Sequence, residues 1–267
     1  TDSLDDAKIA VNEYLSGSAF GGAGEKIVIE EGLVGPEISI LAISDGKKAV
    51  ALSPAQDFKR LHNNDFGPNT GGMGAYSPVP IATPTLVDNV LNNFIQPTIT
   101  ALCQRGIDYR GVLYAGLMIT EDGPKLLEYN VRFGDPEAQV VLPRFESSLT
   151  DLLLEASRGD LRTTPVFTSD AMVTVVCATE GYPTSPRVGD RIRGIDEATN
   201  TSGVEKVYAA GIKLDEEQQP VTGGGRVLAV TGRGNTIEEA RQNAYTGAGK
   251  INWKGLHKRQ DIAEAVK

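Results

Sequence analysis

Three polar side chains stand at every second position near the middle of the chain: Glu128, Asn130 and Arg132. They follow the apolar pair Leu126-Leu127, as is typical where a β-strand ends. Side chains two residues apart in a strand share a face about 7 Å apart, so Glu128 and Asn130 can present two hard oxygen donors together. This spacing predicts a Mg²⁺ site shared with phosphate oxygens, with Arg132 as a clamp for a phosphate or carboxylate. The alternative is a solvated hairpin edge with ordinary surface charges.

The strand that carries these side chains belongs to a predicted antiparallel hairpin. Residues 112–119 and 125–129 have strand-like composition, and Glu121-Asp122-Gly123 between them is a turn sequence. Further upstream, the apolar runs Ile27-Val28-Ile29 and Ile38 to Ile43 predict two more strands. The hairpin therefore has candidate neighbours for a sheet.

Predicted helices flank a long loop. Ser3 precedes acidic residues and apolar positions at helical spacing, which is typical of a capped helix. Thr83-Pro84 begins a second helix that Pro97 can kink, and residues 149–158 form a third. Residues 63–80 are rich in Gly, Pro and Asn and are too many for a tight turn, so they are predicted to form an active-site loop.

A Thr-, Pro- and Ser-rich stretch at residues 163–169 indicates a domain junction. We expect one domain at residues 1–160 and a small α+β domain at residues 161–267. The fold class is α+β with mostly antiparallel sheets. The second domain contains three predicted strands and a helix that opens with a capping-box sequence, at residues 172–178, 204–210, 226–231 and 236–239.

Composition limits the classes of function. The 267 residues include 26 Lys and Arg against 35 Asp and Glu, a formal charge of −9, so phosphates must be held by local donors and metal, and nucleic acid is not an expected partner. No apolar run approaches the ~20 residues that span a bilayer, so no membrane partner is expected. Cys103 and Cys177, which lie in apolar surroundings, indicate reduced core thiols and a cytoplasmic location. The sequence contains only two histidines, His62 and His257, so a histidine-based metal centre or Ser-His-Asp catalysis is not expected.

One motif is long enough to indicate a family. The octapeptide Arg132-Phe133-Gly134-Asp135-Pro136-Glu137-Ala138-Gln139 resembles the signature of glycinamide ribonucleotide synthetases, which are ATP-grasp ligases. Other segments agree with that family in the same order, at residues 56–60, 67–76, 113–118, 181–183, 224–228 and 259–262. The similarity therefore covers essentially the whole chain.

The resemblance implies part of an ATP-grasp fold and an ATP-dependent ligase of purine biosynthesis. Its substrates would be glycine and 5-phosphoribosylamine, joined through glycyl phosphate to give glycinamide ribonucleotide, with Mg²⁺ or Mn²⁺ as the metal. The family's N-terminal domain and phosphate loop have no match here, so we expect the N-terminal remainder of the same enzyme as a partner. The chain alone is expected to be incomplete as an enzyme.

The resemblance also assigns roles on the nucleotide side. The segment Glu30 to Glu37 resembles an adenine-binding hinge, in which the backbone at Glu30, Glu31 and Leu33 faces the purine. Glu37 would hold the ribose hydroxyls, since a carboxylate can bridge two of them. Lys59 would follow the terminal phosphates as a mobile point charge. In isolation, the hinge segment could instead be a β-turn with incidental acids, and Lys59 a surface residue.

On the acceptor side, the resemblance implies a glycine-rich loop whose free N–H groups approach an anion, with Asn69, Gly71 and Gly72 as substrate-binding residues. A flexible surface loop is the alternative. Asp135 would orient the glycine ammonium or the attacking amine, and Arg226 would bind the ribose phosphate.

The chain departs from common patterns at a few positions. Ala115-Gly116 stands where many ATP-grasp enzymes have an acidic metal ligand, so the metal would rest mainly on Glu128 and Asn130. Phe58 and Gly223 replace residues that could transfer protons in the family, so neither is given such a role. Two alternatives stay open: another ATP-grasp carboxylate–amine ligase or carboxylase subunit, and a non-catalytic fragment of such an enzyme.

Overall fold

The structure, a computed structural model, describes residues 3–19, 21–264 and 266, which divide into two compact units between Val34 and Gly35. The first unit contains helix α1 (Leu4–Leu15) and a 3₁₀ turn (Gly21–Glu25). Helix α1 begins as predicted, because the Ser3 hydroxyl accepts a hydrogen bond from the Asp6 amide at 3.0 Å. None of the residues of α1 is buried.

The predicted strand at Ile27-Val28-Ile29 is wrong. Residues 27–34 form neither helix nor strand, and Val28 and Ile29 are 83% and 82% exposed. β-Branched residues favour a strand only when a neighbouring strand accepts and donates its backbone hydrogen bonds. Among the described residues, no strand pairs with this segment.

The second unit contains all the strands that the structure describes. In chain order they are β1 (Glu37–Asp45), β2 (Ala49–Ala51), β3 (Gln56–Asp57), β4 (Arg60–His62), β5 (Phe66–Asn69), β6 (Gly74–Ser77), β7 (Arg110–Thr120), β8 (Gly123–Asn130), β9 (Ala171–Ala178), β10 (Val204–Ala209), β11 (Ile212–Leu214), β12 (Pro220–Thr222) and β13 (Arg226–Gly234). Its α-helices are α2 (Pro84–Val90), α3 (Gln96–Gln104), α4 (Ala138–Val141), α5 (Leu149–Arg158), α6 (Ile195–Thr199) and α7 (Ile237–Ala248).

The first sheet is four-stranded and antiparallel, in the order β2-β1-β7-β8. It contains the predicted hairpin as β7 and β8, and the strand predicted from Ile38 to Ile43 as β1. Both faces of β1 are buried: Ile38 and Ile40 pack into one hydrophobic cluster, and Leu41 and Ile43 into the other. Strand β1, which begins at Glu37, is therefore packed on both sides.

The second sheet has the order β10-β13-β9-β6-β3, and its neighbouring strands are antiparallel. It joins strands from both sides of the predicted domain boundary near residue 160. The boundary itself stays a prediction. Helix α7 packs on β13 so closely that a Cβ at Gly232 would stand 2.2 Å from the Ala244 nitrogen.

The predicted helices of the second unit are confirmed, with one local change. Between α2 and α3, residues Leu91–Ile95 form a π-helical turn just before Pro97, which cannot donate a helical hydrogen bond. Ser148 caps α5, and Gly159 ends it with φ +73°. Thr236 caps α7 by accepting a hydrogen bond from the Glu239 amide at 3.1 Å.

Among the described residues, no helix combines the length and the apolar character that crossing a bilayer requires.

Candidate functional site

The predicted metal-binding pair lies at the end of β8. The Asn130 amide nitrogen donates to the Glu128 Oε1 atom at 3.0 Å, so the two side chains share one face of the sheet as the spacing predicted. Gly116 lies opposite Glu128 on β7, where a Cβ would come within 3.3 Å of the Glu128 Cγ atom. The hydrogen bond leaves Glu128 Oε2 and Asn130 Oδ1 as two neighbouring hard oxygen donors, a set that suits Mg²⁺.

Lys59 and Glu37 form an ion pair, with the Lys59 Nζ atom 2.5 Å from Glu37 Oε2. Burial lowers the pKa of Lys59, but the carboxylates of Asp57, Glu37 and Glu128 raise it by more, so the net shift is upward. The amine is therefore firmly charged. Sequence reasoning gave these two residues separate ligands and did not foresee that they would pair.

Asp57 is a further carboxyl group in this neighbourhood that sequence reasoning left without a role. Burial raises its pKa to about 7, with the charges of Glu137 and Glu37 acting in the same direction and Lys59 opposing them. It lines a cavity of about 510 Å³ together with Glu37, Lys59 and Asn69. The available signal was its position two residues before Lys59, because alternate residues of an extended segment face the same way.

Glu137, the sixth residue of the octapeptide, is 4% exposed and anchors a buried hydrogen-bond network. Its Oε1 atom accepts hydrogen bonds from the Tyr114 hydroxyl at 2.8 Å and from the Ser39 hydroxyl at 3.3 Å. Burial raises the pKa of Tyr114, so this hydroxyl stays a donor. The network ties the octapeptide to β1 and β7, and no local pattern in the sequence predicts it.

Two other octapeptide residues differ in how far they are engaged. Among the described residues, the Arg132 side chain makes one hydrogen bond, from Nη1 to the Phe133 carbonyl at 2.9 Å, so most of its donors face outward. Asp135 forms an ion pair with Arg226 at 2.9 Å. Arg132 therefore keeps donors for a ligand, whereas Asp135 and Arg226 already satisfy each other.

The glycine-rich loop does not offer the free N–H groups that we expected. The amides of four successive residues already donate within the chain: Thr70 to the Lys59 carbonyl, Gly71 to the Tyr182 hydroxyl, Gly72 to the Thr70 hydroxyl, and Met73 to the Phe58 carbonyl. Asn69 is exposed and lines the cavity. Substrate binding by Asn69, Gly71 and Gly72 stays a prediction. An anion bound at this loop would have to receive its hydrogen bonds from groups other than the Gly71 and Gly72 amides.

The hinge residues divide between the two units. Glu30, Glu31 and Leu33 lie in the first unit, in a segment that is neither helix nor strand. Glu37 opens β1 in the second unit. The adenine-binding role of the first three residues stays a prediction.

We expect Asp57→Asn to stabilise the folded chain above about pH 7. The pKa of Asp57 is raised from 3.8 to about 7, so the folded chain retains a proton that the unfolded chain releases at lower pH. Unfolding therefore becomes easier as the pH rises between these two values, and asparagine, which cannot ionise, removes this loss. Thermal unfolding at a series of pH values measures the difference, which should grow between about pH 4 and pH 7 and level off above that range. Asp122→Asn, in the exposed hairpin turn, is the control; identical pH trends in both variants would contradict the shift.

Comparison with known proteins identifies the family. Residues 1–138 match the model "Phosphoribosylglycinamide synthetase, ATP-grasp (A) domain", and residues 172–265 match "Phosphoribosylglycinamide synthetase, C domain". The first model alone covers more than half of the chain. Both halves of the chain thus match the same synthetase.

Curated relatives agree with this assignment. The chain is 46% identical over 262 residues to the chloroplastic phosphoribosylamine–glycine ligase of Arabidopsis thaliana, covering 97% of this chain and 49% of that protein. It is 47% identical over 266 residues to the phosphoribosylamine–glycine ligase of a Nostoc species, covering 98% of this chain and 62% of that protein. The chain therefore spans about half to three fifths of the length of these relatives.

Solved structures give the same result for the fold. The Thermotoga maritima phosphoribosylamine–glycine ligase superposes with a TM-score of 0.86 at 35% identity, covering 98% of this chain and 64% of that one. The biotin carboxylase domain of the Hydrogenobacter thermophilus 2-oxoglutarate carboxylase superposes with a TM-score of 0.63 at 13% identity, covering 96% and 53%, which shows a shared ATP-grasp fold alone. The predicted α+β, ATP-grasp fold class is confirmed, and the chain belongs to the phosphoribosylglycinamide synthetase family.

Proposed function

We propose that this chain is the part of a phosphoribosylamine–glycine ligase that carries its phosphoryl-transfer residues. The enzyme would use ATP to join glycine to 5-phosphoribosylamine and form glycinamide ribonucleotide. The observation that carries the proposal is the pairing of Lys59 with Glu37 at one cavity, close enough to Glu128 for that carboxylate to raise the pKa of Lys59, in a chain that matches both domains of the family.

The reaction proceeds in two steps. A carboxylate oxygen of glycine attacks the γ-phosphorus of ATP, which forms glycyl phosphate and releases ADP. The amine of 5-phosphoribosylamine then attacks the acyl carbon, the carbon–oxygen bond to phosphate breaks, and the amine loses a proton. The chain's residues act by holding charge and position, since phosphoryl transfer needs little covalent help from the protein.

The carboxylates at the site support the proposal that the nucleotide binds together with a divalent cation. Glu37, Glu128 and Asp57 all act electrostatically on the single amine of Lys59. These carboxylates repel a polyphosphate, and a divalent cation would offset that repulsion in addition to Lys59 and Arg132. Within the described part of the chain, no cluster of three or more His, Cys, Asp or Glu residues could hold a metal by itself. Oxygens of Glu128 and Asn130 would therefore hold the ion together with phosphate oxygens of the nucleotide.

When bound there, Mg²⁺ or Mn²⁺ would neutralise charge on the transferring phosphoryl group. Arg132, whose guanidinium faces outward, would clamp a phosphate or the glycine carboxylate. Lys59 would leave Glu37 and follow the γ-phosphate, and Glu37 would then accept hydrogen bonds from the ribose hydroxyls. The Lys59–Glu37 ion pair thus keeps both groups in place until the nucleotide separates them.

A reducing compartment such as the cytoplasm suits this chain. Both cysteines are free thiols: Cys177 is buried as predicted, whereas the prediction of a core thiol is wrong for Cys103, which is exposed. An exposed free thiol is more stable where disulfides are kept reduced. We therefore propose a cytoplasmic or comparably reducing location.

Glu128→Gln in the full-length protein should lower turnover by on the order of 10² or more, because it removes the formal charge of the metal site. The substitution keeps the shape of the side chain, so thermal unfolding should be unchanged. Glu216→Gln, which changes an exposed glutamate on the loop between β11 and β12, is the matched control. Steady-state ligase assays at saturating Mg²⁺ decide the point, and turnover within about threefold of the wild type would remove Glu128 from the metal site.

Glu37→Ala should raise the KM for ATP more than it lowers kcat, because the ribose does not change during the reaction. The variant removes the ion-pair partner of Lys59 but keeps the Lys59 amine, so its effect on kcat should be smaller than that of Lys59→Ala. Initial rates over a range of ATP concentrations measure both constants. An unchanged KM for ATP would show that Glu37 is not part of the nucleotide site.

A further inference from the structure

Arg226 uses its guanidinium group to connect two loops of the site. Its Nη1 atom donates to the carbonyls of Gly71 at 2.5 Å, Asp135 at 2.7 Å and Gly72 at 3.3 Å. Its Nη2 atom contacts Asp135 Oδ2 at 2.9 Å. A planar guanidinium suits such a bridge because its donors point in fixed directions. Most of the N–H donors of the Arg226 guanidinium are therefore engaged by acceptors within the protein.

The two glycines of the loop make room for this contact. A Cβ at Gly71 would stand 2.9 Å from the Arg226 Cζ atom, and one at Gly72 would stand 2.4 Å from Pro136 Cδ. Gly72 also has φ +111°, which disfavours a side chain. The glycine pair that resembles an anion-binding loop thus serves the approach of Arg226 and Pro136 in this structure.

Tyr182 supports the same loop from the same side. Its hydroxyl accepts a hydrogen bond from the Gly71 amide at 2.9 Å. Its ring lies beside Gly225, the residue before Arg226, where a Cβ would stand 2.3 Å from Tyr182 Cδ2. Arg226 and Tyr182 therefore bind the carbonyl and the amide of Gly71 together.

The loop that contains Gly71 and Gly72 is hydrogen-bonded to the backbone of Lys59 and its neighbour. The Thr70 amide and hydroxyl both donate to the Lys59 carbonyl at 2.8 Å, and the Met73 amide donates to the Phe58 carbonyl at 2.7 Å. On the other side, Asp135 lies two residues before Glu137, the buried anchor of the octapeptide. Arg226 thus lies between the backbone that carries Lys59 and the octapeptide turn.

We propose that Arg226, with Tyr182, is a positioning residue that fixes the distance between the Lys59 segment and the octapeptide turn. It acts through Gly71 and Asp135 and does not contact the ribose phosphate. This positioning role replaces the substrate-binding role that the resemblance implied for Arg226. The part of the proposal that concerns catalysis rests on the proposed ligase function. The structural part can be tested without it.

Hydrogen exchange of the 267-residue chain tests the structural part. Arg226→Ala should speed amide exchange at residues 69–74 and 134–139 by at least about tenfold, while β7 and β8 keep their protection. Tyr182→Phe should speed exchange at Gly71 by a smaller factor. Arg193→Ala is the matched control, because this exposed side chain makes no hydrogen bond or ion pair with the described residues. Unchanged exchange in both loops of Arg226→Ala would overturn the proposal, whether or not the protein is a ligase.

Chemical rescue in the full-length protein tests the catalytic part. Arg226→Ala should lower kcat by at least about tenfold and leave the KM for 5-phosphoribosylamine within about threefold, since no substrate contact is lost. Arg226→Lys should be similarly impaired, because an ammonium group cannot bridge the four acceptors. Added guanidinium at millimolar concentration should restore part of the activity of Arg226→Ala, and methylammonium should not.

A large rise in KM for 5-phosphoribosylamine with unchanged loop exchange would show that Arg226 binds substrate instead. An inactive wild type with the expected exchange pattern would contradict the ligase function and leave the structural part standing.

Discussion

The site depends on one electrostatic constraint: a single lysine amine lies among several carboxylates in a partly enclosed cavity. Lys59 is held by Glu37 at 2.5 Å and is further influenced by Asp57 and Glu128. Burial, together with the charges of Glu137 and Glu37, raises the pKa of Asp57 to about 7. Such a balance of charge disfavours a bare polyphosphate, and this supports the proposed binding of a nucleotide together with a divalent cation.

The fold supplies this arrangement from distant parts of the chain. Strand β1 begins at Glu37 and is buried on both faces, so the carboxylate stands on a rigid element. Strand β8, which carries Glu128 and Asn130, lies two strands away from β1 in the same sheet. Glu137 then fastens the octapeptide to β1 and β7 through Ser39 and Tyr114. Glu37, the Glu128–Asn130 pair and the octapeptide are thus all attached to one sheet, whose strands β1 and β7 contribute buried residues to the core.

Sequence reasoning succeeded where the determinants are local. The β7–β8 hairpin follows from two strand-like runs and a Glu-Asp-Gly turn, and the starts of α1 and α7 follow from Ser3 and Thr236 as capping residues. The shared face of Glu128 and Asn130 follows from the period of a strand. It failed where the outcome depends on a partner far away in sequence. Ile27-Val28-Ile29 has the composition of a strand and no strand beside it among the described residues. The Lys59–Glu37 pair, the Glu137 network and the bridge from Arg226 to Gly71 join residues 22, 98 and 155 positions apart, and no local pattern reports them.

The most direct test of this account is a calorimetric titration of the full-length protein with ADP, with Mg²⁺ present and with Mg²⁺ removed by a chelator. If the carboxylates around Lys59 control nucleotide binding, ADP should bind at least about tenfold more weakly without the divalent ion. The difference should persist at high salt, because it arises from coordination at Glu128 and Asn130 and not from long-range attraction. Equal affinity for ADP with and without Mg²⁺ would contradict the account.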